Sequence, residues 1–294
     1  NWFKNMIKKG IILAGGTGSR MSPITKAVNK QLLPIYDKPL IYYPLSVFML
    51  AGIKDILIIV NQGQLLQFRK ILGDGSRLGI KISYAEQQKP SGLPEAFIIG
   101  EKFIGKENVA LILGDNFFYG QNLTEKVRNC VKLKKGAKIF LHPVKKPNLY
   151  GVANINDNNK ILRLVEKPKK PKSNLAVTGM YFFDNQVVEL SKKLKPSKRN
   201  EIEIIDLLKK YLNKSQLKAE VLGRGGTWLD AGSIEDYYET SLFVSTIEKR
   251  QGLKIACLEE IALNYKWIKK DKIIESINFY GNCNYSKYLN NLIK

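Results

Sequence analysis

The sequence predicts an α/β fold: a mainly parallel sheet flanked by helices, then a smaller β-rich region and C-terminal helices. Short strands of β-branched residues alternate with helical patterns up to about residue 113. From about residue 138 strands follow one another directly, and from about residue 234 the pattern is helical. Strands that alternate with helices are typical of βαβ units, which build parallel sheets.

The first half supplies the parallel part of the sheet. The predicted strands are 9–13, 56–60, 82–85 and 109–113, and the predicted helices are 41–51, 65–72 and 93–103. Sheets of this kind bind ligands at the carboxyl ends of their strands. The residues that follow those ends, 14–20, those after Tyr84, and 114–116, are therefore candidate walls of a site.

The second half supplies the β-rich region and the tail. The predicted strands are 139–144, 150–155, 161–166, 177–183 and 219–222, and the predicted helices are 187–194, 202–212 and 234–250. Ser233 is the expected N-cap of the last helix. No internal repeat or low-complexity linker interrupts the chain, which predicts a single compact domain over residues 6–294.

Composition excludes several classes of protein. One histidine, His142, and three widely spaced cysteines supply neither a structural zinc site nor a disulfide framework, so we expect reduced thiols and a cytoplasmic location. His142 itself is expected to be a packed, hydrogen-bonded residue of a strand. Apolar runs such as 56–60 are too short to cross a bilayer. Residues 1–5 lack the layout of a signal peptide and are expected to be a leader or a cloning remnant ahead of Met6.

The net charge of +22 favours attraction to polyanions. The excess lysine is spread over many segments, and no recognition helix, zinc finger, RNP-type strand or arginine-rich arm accompanies it. We therefore expect solvated lysines and no specific nucleic-acid partner. A noncatalytic nucleotide- or nucleic-acid-binding protein remains the alternative from a different class.

A glycine-rich loop follows the first strand in "KGIILAGGTGSR". A dinucleotide fingerprint requires GxGxxG, but Met21 stands where the third glycine would be, and no Gly-Lys-Ser/Thr of a Walker loop occurs. Glycines let backbone N–H groups converge on phosphate oxygens. Arg20 and Lys30 can bring two cations to the same anion, which favours a polyphosphate ligand.

Together with "NKQLLPIYDKPLIYYPLSVFMLAGI", "ALILGDNFFYG", "VEKPKKPKSNLAVTGMYFFD" and "GTWLDAG", this loop resembles the sugar-1-phosphate nucleotidyltransferases from about Ile7 to the C-terminus. The segment "KQLLPIYDKPLIYYPLS" resembles the thymidylyl branch that acts on glucose 1-phosphate. The resemblance implies a Rossmann-like, GT-A-like fold. It divides the domain into a nucleotide-binding half (6–120), a sugar-binding half (121–232) and a helical oligomerisation and regulatory region (233–294).

The implied reaction is attack of glucose 1-phosphate on the α-phosphorus of dTTP, with Mg²⁺, to give dTDP-glucose and pyrophosphate. This is the first step of dTDP-L-rhamnose biosynthesis. A uridylyltransferase or another sugar-1-phosphate nucleotidyltransferase is the alternative within the class. The family resemblance also implies a homotetramer and no membrane partner.

The resemblance also assigns roles to residues of the reacting end. Arg20 would meet the leaving phosphates, Lys30 the α-phosphate, and Asp115 and Asp230 would hold Mg²⁺, with Arg20, Lys30 and Asp115 as the catalytic set. The loop that wraps the triphosphate corresponds to Gly15, Gly16, Thr17, Gly18 and Ser19, although the family order Ser/Thr-Gly-Thr-Arg appears here as Thr17-Gly18-Ser19-Arg20. The family's Thr-Gly pair after the second aspartate is Ala231-Gly232 here.

Base and sugar contacts are implied in the same way. The base would be recognised by Gln31, Gln87 and Gly92, since a carboxamide can both donate to a pyrimidine carbonyl and accept from its N3–H. The sugar would be held by Tyr150, Gly151, Glu166, Lys167, Val177 and Thr178.

A second nucleotide site is implied at a subunit interface. Its residues correspond to Tyr119, Gly120, Gln121, Arg224, Lys254, Glu260 and Ile261. The family histidine is Gln121 here, so we expect the tetramer to persist and feedback inhibition to be altered. Residues 199–206 depart from the family pattern and are expected to start and pack a helix.

Overall fold

The computed structural model describes residues 6–197 and 200–294, so the expectations for residues 1–5 and for Arg199 lie outside the described residues. The strands are β1 Lys9–Ala14, β2 Pro34–Ile35, β3 Lys38–Pro39, β4 Asp55–Asn61, β5 Lys81–Gln87, β6 Val109–Leu113, β7 Asn116–Gly120, β8 Ala137–Pro143, β9 Gly151–Ile155, β10 Ile161–Glu166, β11 Leu175–Phe183, β12 Leu217–Val221 and β13 Gly226–Asp230. The helices are α1 Tyr42–Leu50, α2 Leu65–Leu72, α3 Glu95–Ile99, α4 Glu101–Ile104, α5 Leu123–Cys130, α6 Val187–Lys192, α7 Ile204–Asn213, α8 Ile234–Gln251, α9 Leu258–Asn264, α10 Lys270–Tyr280 and α11 Asn284–Asn291.

The central sheet confirms the predicted fold class. Its strands run in the order β10-β9-β11-β6-β1-β4-β5, and β8 and β12 extend it from β11. The pairs β6–β1, β1–β4 and β4–β5 are parallel. From β11 onward the pairing is mainly antiparallel, with β12 parallel to β8. The helix-alternating half of the sequence thus forms the parallel half of the sheet.

Strand order places a crevice beside β1. The chain moves outward from β1 through β4 and β5 and then returns to the other side of β1 as β6. Ligands bind at such switch points, outside the carboxyl ends of the strands. The Gly114 N–H donates to the Leu13 carbonyl oxygen at 2.9 Å, so the segments after β1 and β6 leave the sheet side by side.

A small antiparallel sheet of β7 and β13 stands beyond the end of β6. The sequence predicted no strand at residues 116–120, but they pair with a segment about 110 residues later, with Asn116 opposite Asp230. The Ala231 N–H also donates to the Asp115 carbonyl oxygen at 3.0 Å. This pairing brings the two predicted metal ligands to one place.

Apolar side chains cover both faces of the central sheet. Along β1, Ile12 packs into the cluster that includes α1 and the C-terminal helices, whereas Ile11 packs into the cluster on the opposite face.

The helix predicted over 93–103 is two helices that meet at Gly100, where an added Cβ would lie 2.8 Å from Ile11 Cδ1. The predicted N-cap is confirmed, since Ser233 Oγ accepts from the Asp236 N–H at 3.1 Å. Within residues 6–197 and 200–294, no helix has the length and apolar content to cross a membrane.

Candidate active site

The glycine loop leaves β1 and is anchored to the end of β4. The Gly16 N–H donates to Asn61 Oδ1 at 2.9 Å, and Asn61 Nδ2 donates back to the Gly16 carbonyl at 2.7 Å. Gly16 and Gly18 have positive φ angles of 101° and 61°, which other residues rarely adopt. Thr25 Oγ1 closes the far end by donating to the Gly18 carbonyl at 2.7 Å. These bonds anchor the loop at both ends and leave Thr17 and Ser19 exposed.

Asn29 holds the segment that carries Lys30 and Gln31. Its side chain is buried, donates to the Ala14 carbonyl at 3.1 Å and accepts from the Gln31 N–H at 2.8 Å. Sequence reasoning missed this residue, although asparagine is a preferred N-cap and caps the short 3₁₀ turn here. The bonds fix Lys30 and Gln31 beside the end of β1.

Lys30 and Asp115 form an ion pair across the crevice between β1 and β6. Lys30 Nζ contacts Asp115 Oδ2, and both side chains are largely shielded from solvent, at 11% and 18% exposure. Asn116 Nδ2 donates to the other carboxylate oxygen at 3.0 Å. Burial acts to raise the pKa of Asp115, but the Lys30 ammonium outweighs it and lowers that pKa. Asp115 is therefore held as a carboxylate.

Asp230 lies opposite, at the end of β13. Burial, and then the negative charge of Asp115, raise its pKa to about 7, while Lys30 and Arg20 act in the other direction. A Cβ added to Gly232 would lie 2.5 Å from Arg20 Nη2 and 3.0 Å from Asp230 Oδ1, so the guanidinium lies close to the carboxylate. The arrangement joins two carboxylates and two cations in one crevice.

No group of three or more His, Cys, Asp or Glu side chains in the described part of the chain could hold a metal. The candidate metal ligands predicted from the sequence, Asp115 and Asp230, are a pair of carboxylates. Two converging carboxylates fit a hard cation that takes its remaining ligands from phosphate and water, which is how Mg²⁺ is usually bound.

The predicted base-binding residues lie around the glycine loop. Gln31 and Gln87 are buried, at 2% and 3% exposure. A Cβ added to Gly15 would lie 2.5 Å from Gln87 Oε1, so these two residues touch. Gln87 Nε2 also donates to Glu95, whose own N–H bonds the Gly92 carbonyl at 3.2 Å. Glu95, which fixes the orientation of the Gln87 amide, was not predicted.

Four of the predicted sugar-binding residues form one group. Gly151 pairs with Glu166 across β9 and β10, and a Cβ on Gly151 would lie 3.3 Å from Glu166 Oε2. The Lys167 N–H donates to the Tyr150 carbonyl at 3.0 Å, and Lys167 has the positive φ of 40°. The Tyr150 ring centroid lies 5.1 Å from that of Trp228, two residues before Asp230. The group therefore adjoins the carboxylates.

The remaining two predicted sugar contacts, Val177 and Thr178, lie on β11 and are buried. Within the described residues, Thr178 Oγ1 is buried without a hydrogen-bond partner. The next residue, Gly179, donates its N–H to Asn116 Oδ1 at 3.0 Å, which ties this strand to the Asp115 side of the site. Thr178 thus offers an unused hydroxyl close to the crevice.

His142 is a packed, hydrogen-bonded residue, as expected. Its ring packs against Trp228 at 6.3 Å between centroids, and it bonds the Leu222 backbone. Its Nδ1 is buried without a hydrogen-bond partner among the residues the structure describes, and burial lowers its pKa more than the bond to Leu222 raises it. The imidazole is therefore an uncharged packing group.

The residues assigned to a second nucleotide site fall into two groups. Tyr119, Gly120, Gln121 and Arg224 lie at the far end of the β7–β13 sheet, where Gly120 pairs with Gly226. The second group is Lys254 together with Glu260 and Ile261 of α9. Tyr288 contacts both charged residues: its hydroxyl donates to Glu260 Oε2 at 2.7 Å, and its ring lies beneath the Lys254 ammonium. Tyr119 and Ile255 pack on the same apolar cluster, which connects the two groups.

A nucleotidyl transferase must place a phosphate-binding loop, cations and metal-binding carboxylates around one phosphorus atom. This crevice brings together a glycine-rich loop, the cations Arg20 and Lys30, and the carboxylates Asp115 and Asp230. The nucleotidyl transferase family model matches residues 9–247, and the chain belongs to that family. Its relatives include the glucose-1-phosphate thymidylyltransferase of Neisseria meningitidis serogroup A, which is 51% identical over 97% of this chain and 99% of the relative. The glucose-1-phosphate thymidylyltransferase of Mycobacterium tuberculosis is 46% identical, with the same coverage.

Solved structures agree with this assignment. A Bacillus anthracis crystal structure, provisionally assigned as a glucose-1-phosphate thymidylyltransferase and complexed with sucrose, superposes with a TM-score of 0.74 and 40% identity. The superposition covers 80% of this chain and 94% of that one. A UDP-glucose pyrophosphorylase complexed with UDP-glucose gives a TM-score of 0.72 and 30% identity over 84% of this chain and 100% of that one.

Proposed function

We propose that this protein transfers a thymidylyl group from dTTP to α-D-glucose 1-phosphate, giving dTDP-glucose and pyrophosphate. The observation that carries the proposal is the convergence of Lys30, Asp115 and Asp230 at the switch point of the sheet. The thymidylyltransferases that are 46–51% identical over 97% of the chain support the choice of nucleotide and sugar.

The reaction needs positioning and charge neutralisation more than proton transfer. The attacking phosphate oxygen of glucose 1-phosphate is already an anion, so no general base is required. Lys30 would contact the α-phosphate, and Arg20, exposed beside Asp230, would neutralise the departing pyrophosphate. Removal of one preorganised charge contact of this kind typically costs about 3–4 kcal/mol of activation free energy.

Asp115 and Asp230 would hold Mg²⁺. Burial, and then the negative charge of Asp115, raise the pKa of Asp230 to about 7, and a shared divalent cation would relieve the repulsion between the two carboxylates. When bound, Mg²⁺ supplies Lewis-acid stabilisation of charge on the phosphate oxygens. Asp115 is already ionised and oriented by Lys30 and Asn116, so it is prepared for that contact.

Selectivity would come from the two ends of the crevice. The buried carboxamides of Gln31 and Gln87, with Gly92, would hold the pyrimidine, and the loop from Gly15 to Ser19 the triphosphate. Tyr150, Gly151, Glu166, Lys167, Val177 and Thr178 would hold the sugar phosphate. This assignment is supported by the position of these six residues around Trp228 and β11, next to the carboxylates of Asp115 and Asp230.

Further parts of the proposal concern the cellular setting. We place the enzyme in the cytoplasm as one functional domain, at the first step of dTDP-rhamnose synthesis. We also propose a homotetramer with a second nucleotide site formed around Tyr119 and Lys254.

The proposal is tested by measuring pyrophosphate release for dTTP, UTP, CTP, ATP and GTP, each with several sugar 1-phosphates, at saturating Mg²⁺. We expect dTTP with glucose 1-phosphate to have the highest kcat/KM. A maximum with UTP would assign the chain to the uridylyl branch. An absence of turnover with every pair would contradict the proposal that the protein is an enzyme. It would favour a noncatalytic nucleotide-binding protein instead.

A further inference from the structure

Two neighbouring loops carry a concentration of positive charge, of which the site described above uses only Lys167. Residues 144–150 read "VKKPNLY" and residues 167–174 read "KPKKPKSN", with no aspartate or glutamate in either loop. All their lysines are exposed. We call these lysines the basic rim: Lys145, Lys146, Lys167, Lys169, Lys170 and Lys172.

The fold holds the two loops side by side. At the outer end, the Val144 N–H donates to the Asn174 carbonyl at 2.9 Å. At the inner end, the Lys167 N–H donates to the Tyr150 carbonyl at 3.0 Å. Both ends of each loop are thus tied to the other loop. The lysines that look like two separate charge runs in the sequence therefore form one surface.

The rim ends at the candidate active site. Tyr150, the last residue of the first loop, packs its ring against Trp228 at 5.1 Å between centroids. Trp228 Nε1 donates to Asn116 Oδ1 at 2.6 Å, and Asn116 in turn bonds the Asp115 carboxylate. Lys167, at the start of the second loop, is in the proposed sugar-phosphate set. A molecule that travels along the rim therefore reaches the sugar side of the crevice.

We propose that the basic rim is an electrostatic guide that concentrates the sugar 1-phosphate, a small dianion, at the entrance to the site; this rests on the proposed function. A border of one charge sign raises local counter-ion concentration and association rates, by roughly 10–10³-fold in strong cases. The rim also offsets repulsion between two phosphorylated substrates that must meet. Because its charges are exposed, salt screens its effect, with a Debye length of about 10 Å at 0.1 M.

The test compares two variants that remove the same amount of charge. The rim variant carries Lys→Gln at Lys145, Lys146, Lys170 and Lys172, and retains Lys167 because that residue belongs to the binding machinery. The control variant carries Lys→Gln at four exposed lysines outside both the rim and the C-terminal helical region: Lys81, Lys102, Lys106 and Lys135. Steady-state kinetics for sugar 1-phosphate are measured at several salt concentrations with saturating nucleotide.

We expect the rim variant to lose roughly 3–10-fold in kcat/KM at about 20 mM salt, with kcat within about twofold of the parent protein. The difference should disappear near 0.5 M salt, where screening is short-ranged, and the control variant should follow the parent protein throughout. Equal losses in both variants, or a loss that does not depend on salt, would overturn the proposal.

A larger polyanion is the competing partner for this surface. If the rim variant loses affinity for a DNA duplex while its kcat/KM for sugar 1-phosphate is unchanged, the rim is a nucleic-acid surface and our inference is wrong. An absence of turnover in the parent protein would instead refute the proposed function. In that case the guide is tested by equilibrium binding of glucose 1-phosphate to the parent and rim proteins, where equal affinities at low salt would refute it.

Discussion

Asn116 Nδ2 donates to Asp115 Oδ1 at 3.0 Å, while Asn116 Oδ1 accepts from both Trp228 Nε1 and the Gly179 N–H, at 2.6 and 3.0 Å. The two donors on Oδ1 determine which end of the amide faces Asp115. Lys30 contacts the other oxygen of the same carboxylate. Both oxygens of Asp115 are thus bonded. The orientation of this proposed metal ligand depends, through Asn116, on the positions of β11 and β13.

An Asn116→Leu substitution should weaken metal binding more than it weakens folding. Leucine has a similar branched outline but is larger, and it removes the bond to Asp115 together with the two bonds that Asn116 Oδ1 accepts. Loss of a hydrogen bond that orients a metal ligand typically costs about 10–100-fold in metal affinity or activity. We expect a loss of that size in Mn²⁺ affinity, measured by electron paramagnetic resonance with dTTP present, and a similar decrease in kcat.

Two further variants separate positioning from folding. Trp228→Phe leaves Asn116 in place and removes one of the donors that orient it, so we expect a smaller change in Mn²⁺ affinity in the same direction. Asn185→Leu removes bonds to the Gly105 and Glu107 carbonyls, away from the site, and should lower the melting temperature without a change in Mn²⁺ affinity. Normal Mn²⁺ affinity in folded Asn116→Leu and Trp228→Phe proteins would refute the positioning role.

Lys38 should be one of the residues on which stability depends most. It is 3% exposed, bonds Glu248 Oε1 at 2.8 Å, contacts Asp37, and its ammonium lies 5.4 Å from the centre of the Tyr43 ring. Removal of one partner of a buried ion pair typically costs about 3–5 kcal/mol. Because Glu248 also accepts from the Ile255 N–H, we expect Lys38→Met to lower the free energy of unfolding by about 3 kcal/mol in urea titrations.

The matched control for Lys38 is Lys126→Met. Lys126 pairs with Glu220, and their side chains are 30% and 27% exposed. A pair that remains in contact with water typically contributes about 0–1 kcal/mol. A loss at Lys38 of no more than about 1 kcal/mol, equal to that at Lys126, would show that the buried network is not stabilising.

Asp230 should make stability depend on pH when no metal is present. Burial and the Asp115 charge raise its pKa from 3.8 to about 7 in the folded protein. Between pH 4 and 7 the folded state therefore binds more protons than the unfolded state, and this contribution to stability is lost as pH rises. We expect the free energy of unfolding of the parent protein, relative to Asp230→Asn, to fall over this interval by no more than about 4 kcal/mol.

The measurement uses urea titrations in EDTA at successive pH values. The same Asp→Asn change at Asp157, an exposed turn residue, should leave the pH dependence as it is in the parent protein. Added Mg²⁺ should stabilise the parent protein more at pH 8 than at pH 5, since the metal binds the ionised carboxylates. A parent-minus-variant difference that is constant from pH 4 to 7 would contradict the assigned pKa shift.

Gln121 should alter feedback control. It stands directly after β7, at the position where the family resemblance led us to expect a histidine, which could gain a proton. A neutral carboxamide cannot gain that charge, so we expect dTDP-rhamnose to inhibit this protein and its Gln121→His variant with different inhibition constants at pH 6–7. Sedimentation velocity checks that the two proteins have the same oligomeric state. Equal inhibition constants in proteins of the same oligomeric state would show that Gln121 does not affect inhibition by dTDP-rhamnose.

Local signals predicted the parts of the fold that depend on neighbouring residues. The strand after Lys9 was predicted from its unbroken apolar run, and the helix after Ser233 from its capping residue. The pairing of β7 with β13 joins Asn116 to Asp230, 114 positions apart, and nothing near either segment indicates its partner. The break at Gly100 likewise depends on contact with Ile11 on another element.

The same division applies to the candidate site. Lys30, in a short 3₁₀ turn, and Asp115, directly after β6, stand in recognisable motifs. Asn29 and Asn116, which orient these two residues, and Glu95, which orients Gln87, act through hydrogen bonds to distant backbone and side chains, which no local pattern indicates. Asparagine before a short helical turn, as at Asn29, was the one local signal available.

The most direct test of the account follows product formation by phosphorus NMR with dTTP, glucose 1-phosphate and Mg²⁺, for the parent protein and for Asp115→Asn. Asparagine keeps the size of the side chain and removes the charge that Lys30 contacts and Mg²⁺ would need. The account predicts dTDP-glucose and pyrophosphate in equal amounts from the parent protein, and a decrease of about 10²–10³-fold in kcat for the folded variant. Turnover by Asp115→Asn at the rate of the parent protein would contradict it.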